Sequence, residues 1–384
     1  MAYFDHNATA PILPQAEAAW LAAARDHFAN PSSPHQAGAR ARAELDRCRE
    51  GLAQTLGSEP DEIVFTSGAT EGANAVLRHF AEASGNAACL LSPVEHPCVR
   101  AAAVTFWKGR VRYLDADAAG RIDPDDLAER LVEERPALVA VMAANNETGV
   151  LQPWEAVAEV CRSAGVVYLC DAVQCAGRLP LRVPEGRAFV VGSAHKFGGP
   201  KGVGFLRVPR GAEGFAAMVG GEQEGGRRSG TENLPGVAGM TAALVHSAPL
   251  AADAGKISAR LAWRKQFAER LAPTGVKVAS GGAPTLWNTV SLVMPHAPNH
   301  RWVNRLSRRG FMVSTGSACA TGREGPSHVL SAMGLTPDEA RRAIRVSSGW
   351  ETGEGDWEAL AEAIGGVAAE LRSEGASAVV EIPG

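Results

Sequence analysis

From about residue 60 the chain alternates short apolar runs with amphipathic stretches, and this alternation limits the fold more than any other feature. Ile63-Val64-Phe65 precedes a helical pattern from Thr70, Ala88 to Leu91 precedes one from Pro97, and Ala137 to Ala143 precedes one from Trp154. Unbroken apolar runs this short read as strands buried on both faces. The pattern therefore predicts βαβ units in a mainly parallel central sheet with helices on both faces, an α/β fold. Further strands are expected at Val166 to Cys170, Phe189 to Gly192 and Val203 to Val208. Ahead of them, Ala41, Leu45, Cys48, Leu52 and Leu56 recur at helical spacing, so 36–57 reads as one amphipathic helix lying on the sheet.

A helix runs from Asn233 toward Ser247, and Pro249 to Gly255 reads as a hinge. The domain break is expected there, with 13–249 as a large domain and 1–12 plus 250–384 as a small α+β one. The small domain should hold strands near Thr289 to Met294 and Ile344 to Ser347 and a last helix near Asp356 to Leu371. A hydrophobic share of 46% with 21% charged residues excludes disorder and coiled coil. The 38 basic and 42 acidic residues offer no basic surface for nucleic acid or an anionic membrane, so neither is an expected partner. Purely apolar runs such as Ala137 to Ala144 are far shorter than the roughly 18 residues of a membrane span. The start, Met1-Ala2-Tyr3-Phe4-Asp5, lacks the basic and apolar parts of a secretory signal, and the seven cysteines form no CxxC pair. Reduced thiols and a cytoplasmic location are the expectation.

Lys196 is one of six lysines and follows the strand run Phe189 to Gly192, in Ser193-Ala194-His195-Lys196-Phe197-Gly198-Gly199. A lysine at a strand end facing a cleft loses its proton to desolvation and can attack a carbonyl, although a lysine among glycines is more often a surface turn. Asp171 ends the run Val166 to Cys170, where open α/β sheets bind ligands; by itself it also suits a turn or a helix cap. Ser67-Gly68-Ala69-Thr70-Glu71-Gly72 joins a strand to a helix and reads equally as an anion cradle and as a plain cap. An anion cradle, a strand-end Asp and then Ser-x-His-Lys, in that order along a parallel sheet, together point to a pyridoxal phosphate enzyme of the aspartate aminotransferase-like fold type I.

The resemblance sharpens along nearly the whole chain. Tyr3 to Thr9, Asn30 to Ser33 with His35, Ser67 to Asn74, Glu95-His96, Asn145 to Gly149, Asp171 to Gln174, Ser193 to Gly204, Arg228 to Asn233, Ser314 to Cys319 and Ile344 to Gly349 resemble the cysteine desulfurases of the class V aminotransferase family. That resemblance implies pyridoxal 5′-phosphate as cofactor. Lys196 would carry it covalently and move protons, Asp171 would bind its ring nitrogen, Gln174 its phenolic oxygen, and His96 would stack on the ring. Ala69, Thr70, Ser193 and His195 would hold the phosphate, with Thr231 reaching it from the second subunit of a homodimer. Asn146 would contact the cofactor and, with Arg345, clamp the carboxylate of the substrate L-cysteine, because a guanidinium matches a carboxylate with two parallel bonds.

Cys319 lies among small residues, Ser314-Thr315-Gly316-Ser317-Ala318-Cys319-Ala320-Thr321-Gly322, whereas Cys48, Cys89 and Cys161 lie in apolar patterns and read as inert core thiols. Cys319 is the expected nucleophile, taking sulfur from cysteine as a persulfide and passing it to a protein such as an iron-sulfur scaffold. Four positions depart from the family's usual pattern: Glu222 and Gly225 in the Gly220 to Arg228 loop, Trp350 where a second arginine is common, and Ala194 in place of a glycine. Alternative readings are a selenocysteine lyase or another class V enzyme, and a catalytically silent scaffold.

Overall fold

The computed structural model describes residues 1–315 and 327–377. In the first half of the chain the elements are β1 (Ala2–Tyr3), α1 (Pro14–Asp26), α2 (Gln36–Leu56), β2 (Ile63–Thr66), α3 (Ala69–Ala83), β3 (Cys89–Leu91), α4 (Pro97–Trp107), β4 (Val111–Tyr113), α5 (Pro124–Glu134), β5 (Leu138–Ala140), α6 (Trp154–Ala164), β6 (Val167–Asp171), β7 (Ala188–Ser193) and β8 (Gly204–Arg207). Seven of these strands form one sheet in the order β2-β8-β7-β6-β5-β3-β4. All neighbours are parallel except β8, which runs against both β7 and β2.

Alternation across the pleat explains the unbroken apolar runs. In β6, Tyr168 and Cys170 enter the core beneath α2, while Val167 and Leu169 enter the core beneath α3 and α4. Each fully buried side chain of this kind contributes about 1.5–3 kcal/mol relative to exposure. β4 was not expected: it is a short edge strand whose Arg112 and Tyr113 face solvent, so it carries no apolar signal.

The later elements are α7 (Leu234–Ala252), α8 (Ala254–Leu271), β9 (Lys277–Val278), β10 (Thr289–Val293), α9 (Asn299–Arg308), β11 (Phe311–Met312), α10 (His328–Ala332), α11 (Pro337–Arg341), β12 (Ala343–Ser347) and α12 (Glu354–Ser377). The expected hinge at Pro249 to Gly255 is instead helix through Ala252, with Asp253 alone separating α7 from α8. Proline is tolerated there because both Pro249 and Val245, whose carbonyl loses its partner, are exposed to water. By length and composition α7 could cross a membrane; it is apolar because it packs against α1 and α2, with most of its residues buried. β12, β10 and β9 form an antiparallel sheet over a separate core that includes Phe4, Trp302, Trp357 and Leu292.

Residues 1–13 run between the two sheets. β1 pairs with β11, Asp5 bridges Ser347, and then the Ala10 and Leu13 N–H groups donate to the carbonyls of His195 and Gly198.

Candidate active site

The sheet reverses its chain order between β3 and β5, since β4 lies outside β3 while β6 and β7 continue on the other side of β5. Ligands bind at the carboxyl ends of strands around such a switch point. Four predicted residues lie there on adjacent strands: His96 beyond β3, Asn146 beyond β5, Asp171 at the end of β6 and Lys196 beyond β7.

Asp171 is buried, and its carboxylate accepts the Val173 N–H at 2.9 Å. Burial pushes its carboxyl above the usual range, against the opposing pull of His96, that N–H and Lys196. The Lys196 Nζ donates to the carbonyls of Asn7 at 2.7 Å and Ala8 at 2.9 Å. Burial, then the positive charges of Arg178 and Arg345, bring its amine down from 10.5 to about 8, although Asp171 and Asp5 pull the other way. His96 caps α4: its Nδ1 accepts the Cys98 N–H at 3.2 Å and lies 3.0 Å from the Cys98 sulfur. Burial lowers the imidazole's pKa, so it stays neutral near pH 7 with the proton assigned to Nε2. The Cys98 thiol is pushed up to about 12, first by burial and then by Asp171.

A second recess adjoins this cluster at the start of α3, lined by Gly68, Thr70, Ser193, His195 and Lys201. Gly204 makes it possible, because a Cβ there would collide with Gly192 O and Gly68 Cα, so only glycine lets the α3 entry lie over the sheet end. The Ala69 N–H donates to Ser193 Oγ at 2.9 Å. His195 Nδ1 lies 3.2 Å from Thr9 Oγ1, and burial with the Lys196, Lys201 and Arg178 charges lowers the imidazole to about 4. A helix N-terminus with lysine, hydroxyl and imidazole groups suits a phosphate.

The remaining predicted residues are arranged as follows. Gln174 is buried; its Nε2 donates to Asn7 O at 3.2 Å and its Oε1 accepts from Arg178. Arg345 is buried, donating to Asp5 Oδ1 at 2.7 Å and Asn146 O at 2.9 Å, while the buried Asn146 Oδ1 has no partner among the described residues. Thr231 is exposed and lies outside the recess lining. Cys319 lies outside the described residues. The described residues on either side of its segment are tied to the site. Ser314 exchanges backbone bonds with Arg345, Ser327 Oγ donates to Glu147 at 2.7 Å, and His328 Nε2 lies 2.9 Å from Glu95 O.

Asp5, Asn7 and Arg178 were not singled out from sequence, yet they join the predicted residues. Asn7 alone links the Lys196 amine, Gln174, the Asn146 carbonyl and Thr289. Its position within Tyr3 to Thr9 was the available signal.

The family profile for aminotransferase class V matches residues 2–360. The chain belongs to the class V aminotransferase family. It is 39% identical over 369 residues to a cysteine desulfurase of Frankia sp. (strain EuIK1), covering 92% of this chain and 87% of that one. A cysteine desulfurase of Klebsiella pneumoniae is 38% identical, covering 90% and 87% of the two chains. Among solved structures, a NifS-like protein superposes with a TM-score of 0.87 at 31% identity, covering 96% of this chain and 100% of that one. A structure of SspA in complex with cysteine gives 0.76 at 30%, covering 90% and 98%.

Within this family frame the departures acquire local reasons. Gly225 has φ +65°, a left-handed conformation in which an arginine would be strained, while Glu222 is exposed. The neighbouring Glu224 anchors the loop, accepting from both Arg49 Nη atoms at 2.7–2.8 Å and from the Phe65 N–H. Trp350 packs at a tilt against Trp287, ring centroids 4.2 Å apart, beneath the Arg260 guanidinium, and donates to Gly177 O. Ala194 is fully buried in the turn before His195.

Proposed function

We propose that the protein is a pyridoxal 5′-phosphate-dependent cysteine desulfurase that releases L-alanine from L-cysteine and carries the sulfur as a persulfide on Cys319. The observation that carries this reading is the placement, at the ends of adjacent strands β6 and β7, of a buried Asp171 carboxyl and a Lys196 amine lowered to about 8. The names of the relatives supply the substrate.

The residues fit the cofactor. Asp171 offers a buried acid for a pyridine nitrogen, Lys196 an amine for an aldehyde, and the α3 recess a phosphate cradle. The partnerless Asn146 Oδ1 is a buried acceptor in want of a donor. When bound, pyridoxal 5′-phosphate supplies an electron sink that weakens the substrate's Cβ–S bond.

The chain's own groups do the rest. Lys196, neutral above about pH 8, would hold the cofactor through its aldehyde, and its amine is the group that would take the proton from the substrate's Cα. Asp171 would hold the ring nitrogen and Gln174 the phenolic oxygen. His96, fixed by the Cys98 N–H, would stack on the ring and assist proton movement. Ala69, Thr70, Ser193 and His195 would hold the phosphate. Asn146 and Arg345 receive the substrate carboxylate, Arg345 being prealigned by Asp5 and the Asn146 carbonyl. The Cys319 thiolate attacks the substrate sulfur: an S–S bond forms as the Cβ–S bond breaks, and the electron pair stays with the three-carbon fragment, which takes up protons and leaves as alanine.

A homodimer belongs to the same reading, with Thr231 completing the partner's phosphate site; exposed Met218 and Val219 nearby in the chain support it. So do a division into 13–249 and 1–12 plus 250–384, supported by separate apolar cores, a cytoplasmic location, and a protein sulfur acceptor such as an iron-sulfur scaffold. The test is mass spectrometry of the peptide containing Cys319 after adding L-cysteine. One additional sulfur atom is expected, and full desulfuration by Cys319→Ala would overturn the reading.

A further inference from the structure

Arg178 is buried, 4% exposed, and no carboxylate pairs with it among the described residues. Its guanidinium is held by oxygens alone. Nη1 donates to the Gln174 carbonyl at 3.0 Å and to Gln174 Oε1, and Nη2 donates to His6 O at 3.0 Å and Lys196 O at 3.1 Å. Consecutive carbonyls of the N-terminal segment therefore serve both cations: His6 faces Arg178, while Asn7 and Ala8 face the Lys196 amine. From behind, Trp287 Nε1 donates to Arg178 O at 2.9 Å and Trp350 Nε1 to Gly177 O at 3.0 Å, which fixes the backbone carrying the guanidinium.

We propose that Arg178 is a positioning residue: it holds the Gln174 side chain and the Lys196 backbone in one frame and brings to the Lys196 amine a positive charge that no carboxylate pairs with among the described residues. The consequence for catalysis rests on reading Lys196 as the cofactor-binding lysine, but the coupling itself is measurable without cofactor. Two carbonyl acceptors would by themselves favour an ammonium at Lys196. Burial opposes that first and Arg178 next. Among the described residues, the other charged or titratable groups facing the amine are Arg345 from β12, Asp171 from β6, Asp5 from the N-terminal segment, and His96 and His195. Arg345 and Asp5 form an ion pair, so much of their effect cancels, and Arg178 is the cation beside the amine that no carboxylate pairs with among the described residues.

The experiment is trace acetylation of the full chain freed of cofactor, as a function of pH, with the Lys196 peptide quantified by mass spectrometry. Arg178→Met and Arg178→Gln should move the Lys196 midpoint up from about 8 toward 10.5, because removing a positive charge beside the amine favours the ammonium. Arg178→Lys, which keeps the charge, should leave it near the wild-type value. Arg178→Gln retains an amide donor and serves if Arg178→Met does not fold. An unchanged midpoint in a folded neutral variant, or an equal rise in Arg178→Lys, would overturn the proposal. Borohydride labelling of a lysine other than Lys196 would instead refute the cofactor reading and leave the measured coupling intact.

Discussion

Replacing Asp171 by asparagine isolates its charge from its shape. Among the described residues the carboxylate accepts one strong bond, from the Val173 N–H at 2.9 Å, and the isosteric amide oxygen can keep it. What the substitution removes is the anion beside His96 and Lys196 and, in the proposed function, the partner of the ring nitrogen. A hydrogen bond to a charged group contributes about 1.5–3 kcal/mol, and at 1.36 kcal/mol per tenfold this corresponds to a loss of about 10- to 150-fold in alanine formation from L-cysteine at saturating cofactor. Stability of the cofactor-free chain in a urea titration should change by no more than about 1 kcal/mol, since no buried charge is stranded and the Val173 bond persists. A variant with activity within twofold of wild type would refute the role given to this carboxylate. A loss of several kcal/mol in the urea titration would show that Asp171 is chiefly structural.

Three further outcomes follow from particular contacts. Arg49→Met strands the Glu224 carboxylate, whose side chain is only 1% exposed, and should cost about 3–5 kcal/mol by urea midpoint; a change below about 1 kcal/mol contradicts the buried pair. Gly225→Ala meets no atom within 4 Å yet holds φ +65°, so it should lose about 1 kcal/mol through backbone strain alone, and an unchanged midpoint argues against the left-handed turn. Because the neutral amine is the nucleophile and prevails above about 8, capture of pyridoxal 5′-phosphate by the cofactor-free chain should accelerate about tenfold from pH 7 to 9 and then level off. A continued rise toward pH 10.5 means that Lys196 is not perturbed.

The parallel sheet was legible because its strands are buried on both faces and read as unbroken apolar runs. Edge strand β4 and the two-residue pair β1 and β11 were not, since Arg112 and Tyr113 face water and a two-residue strand has no period to detect. Pro249 was misread because a proline signals a helix end by its missing N–H, whereas here the orphaned carbonyl lies at an exposed position. At the site, Lys196 and Asp171 were legible as strand-end residues of marked chemistry. Arg178 was not: its bonds run to backbone carbonyls as far away as His6, 172 positions earlier in the chain, and a carbonyl leaves no mark in the residue code. Glu224 is similar, since its partner Arg49 is 175 positions distant and only the folded loop brings them together.

The central claim is that the amine of residue 196 carries the cofactor, and borohydride reduction of the protein reconstituted with pyridoxal 5′-phosphate, followed by peptide mapping, tests it most directly. The account predicts a single stable pyridoxyl adduct on Lys196; label on Lys201 or another lysine, or no covalent label at all, contradicts it.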